Sequence, residues 1–215
     1  MISKTKKFIY IHINKCAGTS MRNFLKPDLL KISNVCSWPW PKDHVSLQEL
    51  YDIMDTDEFN SFYKFAIIRN PYDRLGSIYN YALHVNEDRP TGKKPYSMFD
   101  KKPFENFILN LSKYKEICDS SNESYKGMFT SITDYLSVNG EIKINRVIPF
   151  ENLNEDLKII QKKLNLTSKV DGGLPHLNQV TKHLKGSYKK WYTPEMVRIV
   201  NDVYEDDIKN FEFKF

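Results

Sequence analysis

Residues 8–20 read FIYIHINKCAGTS, and this stretch decides how the chain folds. Its first half is an apolar run that predicts a strand at about 8–13, and the amphipathic segment after it predicts a helix at about 19–26. Lys15 lies in the short loop between them, among small and hydroxyl residues. The N–H groups at a helix start lack intrahelical acceptors, and a lysine adds full positive charge. The arrangement is therefore typical of a site for an anionic, phosphate-like group.

A second strand–loop–helix unit follows at residues 63–79. Its apolar run predicts a strand at 63–69, and the segment RNPYDRLGSIY, residues 69–79, carries the chain into a helix. Arg69 ends the predicted strand, and open α/β sheets bind ligands at the carboxyl ends of their strands. Ser77 follows about one turn into the helix. Because arginine offers forked donors that suit phosphate, we expect this pair to bind a second phosphate group.

Strand and helix signals alternate along the whole chain. Ser46 and Glu49 form a predicted capping box at one helix start, and Thr193-Pro194 marks the start of the last helix. Between these two helices, apolar periodicity predicts helices after Pro71, at 104–111 and at 154–164. A further strand is predicted within 142–150, ending at Pro149. The alternation favours an α/β fold, with a parallel sheet flanked by helices on both faces.

Length and composition limit the class of protein. A chain of 215 residues, 40% hydrophobic and 27% charged, predicts one globular domain covering 1–215. No apolar run approaches the length of a membrane span, and the run at 8–13 is too short for a signal peptide, so we expect a cytoplasmic protein. Three cysteines without metal-like spacing predict reduced thiols. The net charge of +5 suits anionic ligands, while the scattered basic residues argue against nucleic acid as a partner.

The Lys15 loop does not fit the Walker pattern of nucleoside-triphosphate sites. GxxxxGK[ST] places a glycine before the lysine and a hydroxyl directly after it, whereas here the lysine comes first and CAGTS follows. A small-molecule or nucleotide kinase on a related fold is therefore the less favoured alternative, because an acidic magnesium ligand after an apolar strand is not evident either. A second alternative, from a different class, is a non-catalytic nucleotide- or glycan-binding protein.

Both units resemble motifs of the carbohydrate sulfotransferases that use PAPS, 3′-phosphoadenosine 5′-phosphosulfate. NKCAGTS is similar to the family's 5′-phosphosulfate loop, PKTGGTS in many members, and RNPYDRLGSIY is similar to its 3′-phosphate element, RNPYDRLxSxY. Further segments fit the family in order, namely His44-Val45-Ser46, Phe150-Glu151-Asn152-Leu153, His176-Leu177-Asn178 and Tyr192-Thr193-Pro194-Glu195. The resemblance covers nearly the whole chain. It is closest to soluble bacterial-type members of the group that contains 2-O-sulfotransferase-like and chondroitin-type enzymes.

The resemblance implies a P-loop-kinase-like sulfotransferase fold and the transfer of the sulfuryl group of PAPS to an acceptor hydroxyl. PAP is then the product and no metal is required. The expected acceptor is a carbohydrate, and membrane-associated glycan biosynthesis is one process in which such an enzyme takes part.

The resemblance also implies a role for each residue that matches a motif. Lys15 would contact the 5′-phosphosulfate and stabilise charge on the bridging oxygen as the S–O bond breaks. The loop residues expected to hold the 5′-phosphate are Ala17, Gly18, Thr19 and Ser20, and those expected to hold the 3′-phosphate are Arg69 and Ser77. His44 matches a family histidine and is the expected general base, since an imidazole titrates near neutrality.

The phosphosulfate loop departs from the family pattern at three positions. Asn14 takes the place of the usual proline, and Cys16-Ala17 takes the place of threonine-glycine, which leaves the non-catalytic alternative open. Outside the motifs, His12 alternates with apolar neighbours on the first strand, so we expect it to be a buried, hydrogen-bonded core residue. Arg74 is predicted to have a structural role, and the basic loop 182–190 to close over the adenine or simply to be solvated.

Overall fold

The computed structural model describes residues 1–29, 44–88, 96–99, 102–120, 127–168 and 184–215. The strands are β1 (Ile2–Ser3), β2 (Phe8–Ile11), β3 (Tyr63–Ile68), β4 (Ser137–Val138), β5 (Glu141–Ile142) and β6 (Arg146–Pro149). The helices are α1 (Gly18–Leu29), α2 (Leu47–Tyr51), α3 (Thr56–Ser61), α4 (Pro71–Glu87), α5 (Phe104–Leu109), α6 (Leu111–Asp119), α7 (Ile132–Leu136), α8 (Leu153–Leu164), α9 (Pro194–Val203) and α10 (Glu205–Phe211).

The main sheet has four strands in the order β1-β2-β3-β6. Strands β2, β3 and β6 run parallel, with Phe8 opposite Tyr63 and Phe65 opposite Arg146. Every residue of β2 is buried, and so are all residues of β3 after Tyr63. A parallel strand that is covered on both faces reads as a continuous apolar run, which explains why FIYI and KFAII stand out in the sequence. The predicted α/β class is confirmed.

The sheet is mixed, whereas the sequence predicted a parallel one. β1 pairs antiparallel with β2, and its two residues are too few to give a periodic signal. The strand predicted within 142–150 is β6, which ends at Pro149 as expected, whereas the short strand β5 before it was not predicted. β5 pairs with β4 in a separate two-stranded sheet, and only β6 joins the main sheet.

The chain folds as two compact units. The first comprises Met1–Arg69 and Ile132–Asn178, and it contains the main sheet, with α1 against β1 and α8 against β6. The second comprises Asn70–Ser131 and Gln179–Phe215. Its helices α4, α5, α6 and α9 enclose an aromatic-rich core that includes Phe107. The single domain expected over 1–215 stays a prediction.

Local signals set the helix starts, as the sequence predicted. The Ser46 hydroxyl accepts from the Glu49 amide while the Glu49 carboxylate accepts from the Ser46 amide, which completes the capping box. Thr193 caps α9 before Pro194, and Asn70 caps α4 before Pro71. Among the described residues, no helix is long and apolar enough to cross a membrane.

Candidate functional site

The Lys15 loop leaves β2 and turns sharply into α1. The Cys16 amide donates to the Ile13 carbonyl at 3.2 Å, and Lys15 and Ala17 both take positive φ values, 62° and 55°. The first hydrogen bond into the helix runs from the Met21 amide to the Ala17 carbonyl at 3.0 Å. Backbone amides in such a left-handed turn face a common concavity, which is a form of anion-binding backbone.

The first turn of α1 suits an anion. It carries Gly18, Thr19 and Ser20 and contains no acidic residue, so no carboxylate of the helix competes for its N–H groups. Ser20 is buried and Thr19 half-buried, and both hydroxyls belong to the turn that follows Lys15. The structure therefore brings together the loop residues that the sequence singled out.

Lys15 has an ammonium group with a perturbed pKa. Burial, and after it the positive charge of Arg69, lowers the pKa of Lys15 from 10.5 to about 8. A bound anion would oppose both effects, because a negative charge nearby favours the protonated form of the lysine. Such a shift is typical of functional sites.

Arg69 follows β3 directly and reaches the Lys15 loop. Its Nη1 donates to the Lys15 carbonyl at 3.3 Å, and its guanidinium carbon lies 4.5 Å from the centroid of the Phe150 ring. The ring face attracts the cation and restricts its orientation. The segment Phe150-Glu151-Asn152-Leu153 was among those that resemble the family, but the sequence did not predict that Phe150 orients Arg69. Contact between an aromatic ring and a guanidinium leaves no signal in the spacing of residues along the chain.

His44 is held against the strand that leads into the loop. Its Nδ1 lies 2.8 Å from the His12 carbonyl oxygen, and the centroids of the two rings are 4.2 Å apart. A carbonyl only accepts, so Nδ1 carries the proton and Nε2 holds the lone pair when the ring is neutral. This is the tautomer that a general base at Nε2 requires.

Gly18 must be a glycine because of His12. A Cβ added at position 18 would lie 1.6 Å from Nε2 of His12. His12 is buried, as predicted. The prediction that it is hydrogen-bonded is wrong for its Nδ1 atom, which has no hydrogen-bond partner among the described residues. Burial, and then the charges of His44 and Arg22, lowers the pKa of His12 to about 2, so its ring is neutral at any working pH.

Each of the three loop residues that differ from the family pattern has a local contact or backbone conformation in the structure. Asn14 Nδ2 donates to Tyr135 Oη at 3.2 Å, which fixes the loop at the place where the family has proline. Cys16 is fully buried, and its Sγ lies 3.6 Å from the Asn14 carbonyl oxygen. Ala17 occupies a left-handed conformation that favours glycine, the family's usual residue there.

Ser77 belongs to the second unit, where it is half-buried on α4. The neighbouring Gly76 packs under Trp191, since a Cβ on Gly76 would lie 2.2 Å from that ring. Arg74 is structural, as predicted, because its guanidinium donates to the carbonyls of Thr130 and Met128 at 2.9 and 3.2 Å.

Several sequence predictions lie outside the described residues. They are the His176-Leu177-Asn178 segment and residues 182 and 183 of the basic loop 182–190. Within the ranges that the structure does describe, no three His, Cys, Asp or Glu side chains are grouped as metal ligands would be.

Comparisons with known proteins point to one family. The family model described as "Sulfotransferase family" matches residues 1–214. A solved structure of mouse sulfotransferase SULT7A1 complexed with PAP is similar in fold, with a TM-score of 0.55 and 15% sequence identity. The match covers 98% of this chain and 87% of that chain. No curated protein matches the sequence.

Proposed function

This chain belongs to the sulfotransferase family, and we propose that it transfers the sulfuryl group of PAPS to a carbohydrate hydroxyl, releasing PAP. The observation that carries the proposal is the convergence of two positive groups on one loop. Arg69 donates to the Lys15 carbonyl, and its charge helps to lower the pKa of Lys15. Adjacent cations repel each other, so a polyanionic ligand is the chemistry that this arrangement favours.

Residues of this chain can be assigned to both the 5′-phosphosulfate and the 3′-phosphate of PAPS. Lys15, Ala17 and the first turn of α1, residues 18–20, would hold the 5′-phosphosulfate, because their amides and hydroxyls surround a helix start whose first turn has no acidic residue. Arg69, oriented by the ring of Phe150, would hold the 3′-phosphate. Ser77 is assigned to the same phosphate on the strength of the RNPYDRLGSIY motif.

The proposed reaction is a single in-line displacement. The acceptor oxygen forms a bond to sulfur while the bond from sulfur to the bridging oxygen of the donor breaks. The electron pair of that bond stays on the 5′-phosphate of PAP, where the Lys15 ammonium stabilises the new negative charge. Transfers of this kind depend mainly on positioning and on charge stabilisation.

His44 is the proposed general base. The acceptor hydroxyl loses its proton as the new bond forms, and Nε2 of His44 is the ring nitrogen able to take it, since Nδ1 donates to the His12 carbonyl. The backbone contact restrains the position of Nδ1, and the His12 ring packs against the His44 ring with the centroids 4.2 Å apart. The same histidine thus has both a defined tautomer and a defined orientation.

A transfer screen with ³⁵S-labelled PAPS tests the proposal. Oligosaccharides, lipid-linked glycans, phenols and simple alcohols serve as acceptors, and we expect label on a carbohydrate. Label on phenols alone would retain sulfuryl transfer and overturn the carbohydrate acceptor. Absence of transfer to every acceptor, together with absence of PAP binding, would overturn the proposed activity.

A further inference from the structure

His12 contacts both the Lys15 loop, at Gly18, and the proposed base, His44. It follows β2 directly and is 7% exposed. One edge of its ring lies against the backbone of Gly18, where a Cβ would come within 1.6 Å of Nε2. Its ring centroid is 4.2 Å from that of His44, and its carbonyl oxygen accepts a hydrogen bond from His44 Nδ1 at a nitrogen–oxygen distance of 2.8 Å. One residue therefore separates the proposed phosphosulfate loop from the proposed base.

Packing alone does not explain an imidazole at this position. Nδ1 of His12 is buried and makes no hydrogen bond to any described residue, and a buried polar atom without a partner costs free energy. An apolar side chain would avoid that cost. A flat five-membered ring, however, fits with one edge close to the glycine backbone while it packs against a second imidazole at an interplanar angle of 51°. Its neutral state also adds no positive charge next to Lys15 or His44.

We propose that His12 is a positioning residue that acts through His44. Wedged between Gly18 and His44, its ring sets the distance from the phosphosulfate loop to the general base. The proposal rests on the proposed function, because it takes His44 as the base and Gly18 as part of the donor site. Misplacing a reacting group by about 1 Å can reduce a rate on the order of 100-fold, so such a spacer has a measurable kinetic effect.

A double-mutant cycle on kcat tests the proposal in the full-length protein, with the best acceptor from the screen. We expect His12→Gln to lower kcat by about 10- to 100-fold, since the side chain no longer fixes the His44 ring. In a His44→Ala background the same change should alter kcat by less than about twofold, because there is no base left to position. If the double variant instead lowers kcat by the product of the two single effects, His12 does not act through His44.

Affinity for PAP separates positioning of the base from damage to the loop. We expect the Kd of His12→Gln for PAP to stay within about threefold of the wild-type value while kcat falls. A loss of PAP affinity as large as the loss of kcat would overturn the proposal, because the role of His12 would then be in the loop. If His12→Gln lowers the folded fraction, His12→Asn carries the same cycle.

Tyr10→Phe is a matched control for the loss of a buried polar group. Tyr10 lies two residues before His12, with its ring stacked 6.5 Å from the His12 ring, and its hydroxyl is also buried without a partner among the described residues. We expect wild-type kcat for this variant. A fall in kcat equal to that of His12→Gln would overturn a specific role for His12. Wild-type kcat in His44→Ala would overturn both the role of His44 as general base and the role of His12 in positioning it. The proposals that the protein binds PAP and transfers the sulfuryl group would not be affected.

Discussion

Arg69 Nη1 donates a hydrogen bond to the main-chain carbonyl of Lys15 at 3.3 Å, across 54 positions of sequence. The contact joins the residue that ends β3 to the loop that follows β2. It brings the Arg69 guanidinium to the backbone of Lys15, and the positive charge of Arg69 lowers the pKa of the Lys15 ammonium. Because this arrangement is fixed before any ligand binds, an anion gains electrostatic stabilisation without the cost of gathering the charges.

The role proposed for Arg69 predicts selectivity between nucleotides. PAP should raise the melting temperature clearly more than AMP at equal concentration, because only PAP carries a 3′-phosphate for the guanidinium. In Arg69→Ala the PAP shift should fall to that of AMP, and Arg69→Lys should give an intermediate shift, since it keeps the charge and loses the forked donors. Differential scanning fluorimetry measures all six shifts. Equal shifts for the two nucleotides in the wild-type protein would contradict the proposed 3′-phosphate site.

The charge of Lys15 should be required for turnover. We expect Lys15→Ala to lower the transfer rate by on the order of 100- to 1,000-fold, the usual loss when one group that stabilises a developing charge is removed. Lys26→Ala is the matched control, because Lys26 is an exposed lysine on the next helix, α1. It should leave turnover unchanged. Circular dichroism checks that both variants fold, and near-wild-type turnover in folded Lys15→Ala would exclude the role.

The lowered pKa of Lys15 predicts how PAP binding depends on pH. In the free protein Lys15 loses its proton near pH 8, and bound phosphate should raise its pKa again. PAP binding therefore takes up a proton above pH 8, and affinity should weaken by up to about tenfold per pH unit there.

Isothermal titration in buffers of different ionisation enthalpy measures that proton uptake. Lys15→Arg is the control, because arginine stays charged throughout the range. It should retain PAP binding and lose the pH dependence above 8. An affinity that is flat between pH 7 and 9.5 in the wild-type protein would contradict the prediction.

Gly18→Ala should destabilise the protein even though alanine favours helices. In an unobstructed helix the change stabilises by about 0.5–1 kcal/mol. Here the new Cβ would meet the His12 ring, so we expect a loss of about 1–3 kcal/mol from overpacking. Urea denaturation of Gly18→Ala, His12→Ala and the double variant measures the coupling. The two losses should not add, because His12→Ala removes the ring that causes the clash.

Ala17→Gly should be tolerated better than an ordinary alanine-to-glycine change. A left-handed backbone costs an L-residue roughly 1–2 kcal/mol, which offsets the roughly 0.5–1 kcal/mol that glycine loses through its flexibility when unfolded. We therefore expect stability to be unchanged or to rise by up to about 1 kcal/mol. Ala82→Gly in the buried part of α4 is the contrast and should lose about 1 kcal/mol or more. Equal losses in the two variants would contradict the strain at Ala17.

Local patterns predicted those parts of the fold that local interactions determine. The runs of β2 and β3 are apolar because both strands are buried, and the caps at Ser46 and Thr193 are formed by side chains within three residues of the helix start. The antiparallel β1 and the separate pair of β4 and β5 were not predicted. Pairing of two-residue strands depends on which backbone lies alongside, and a short segment carries no periodicity that would reveal it.

Patterns along the chain were enough to predict a lysine loop between a buried strand and a helix, an arginine at the end of the next strand, and the family to which these motifs belong. Spacing along the chain encodes such features, because each depends on neighbours a few residues away. Three contacts could be seen only in the folded chain: Arg69 donates to the Lys15 carbonyl, the Phe150 ring lies against Arg69, and the His12 ring requires glycine at position 18. These contacts depend on side-chain orientation and packing density in three dimensions, which sequence spacing does not specify.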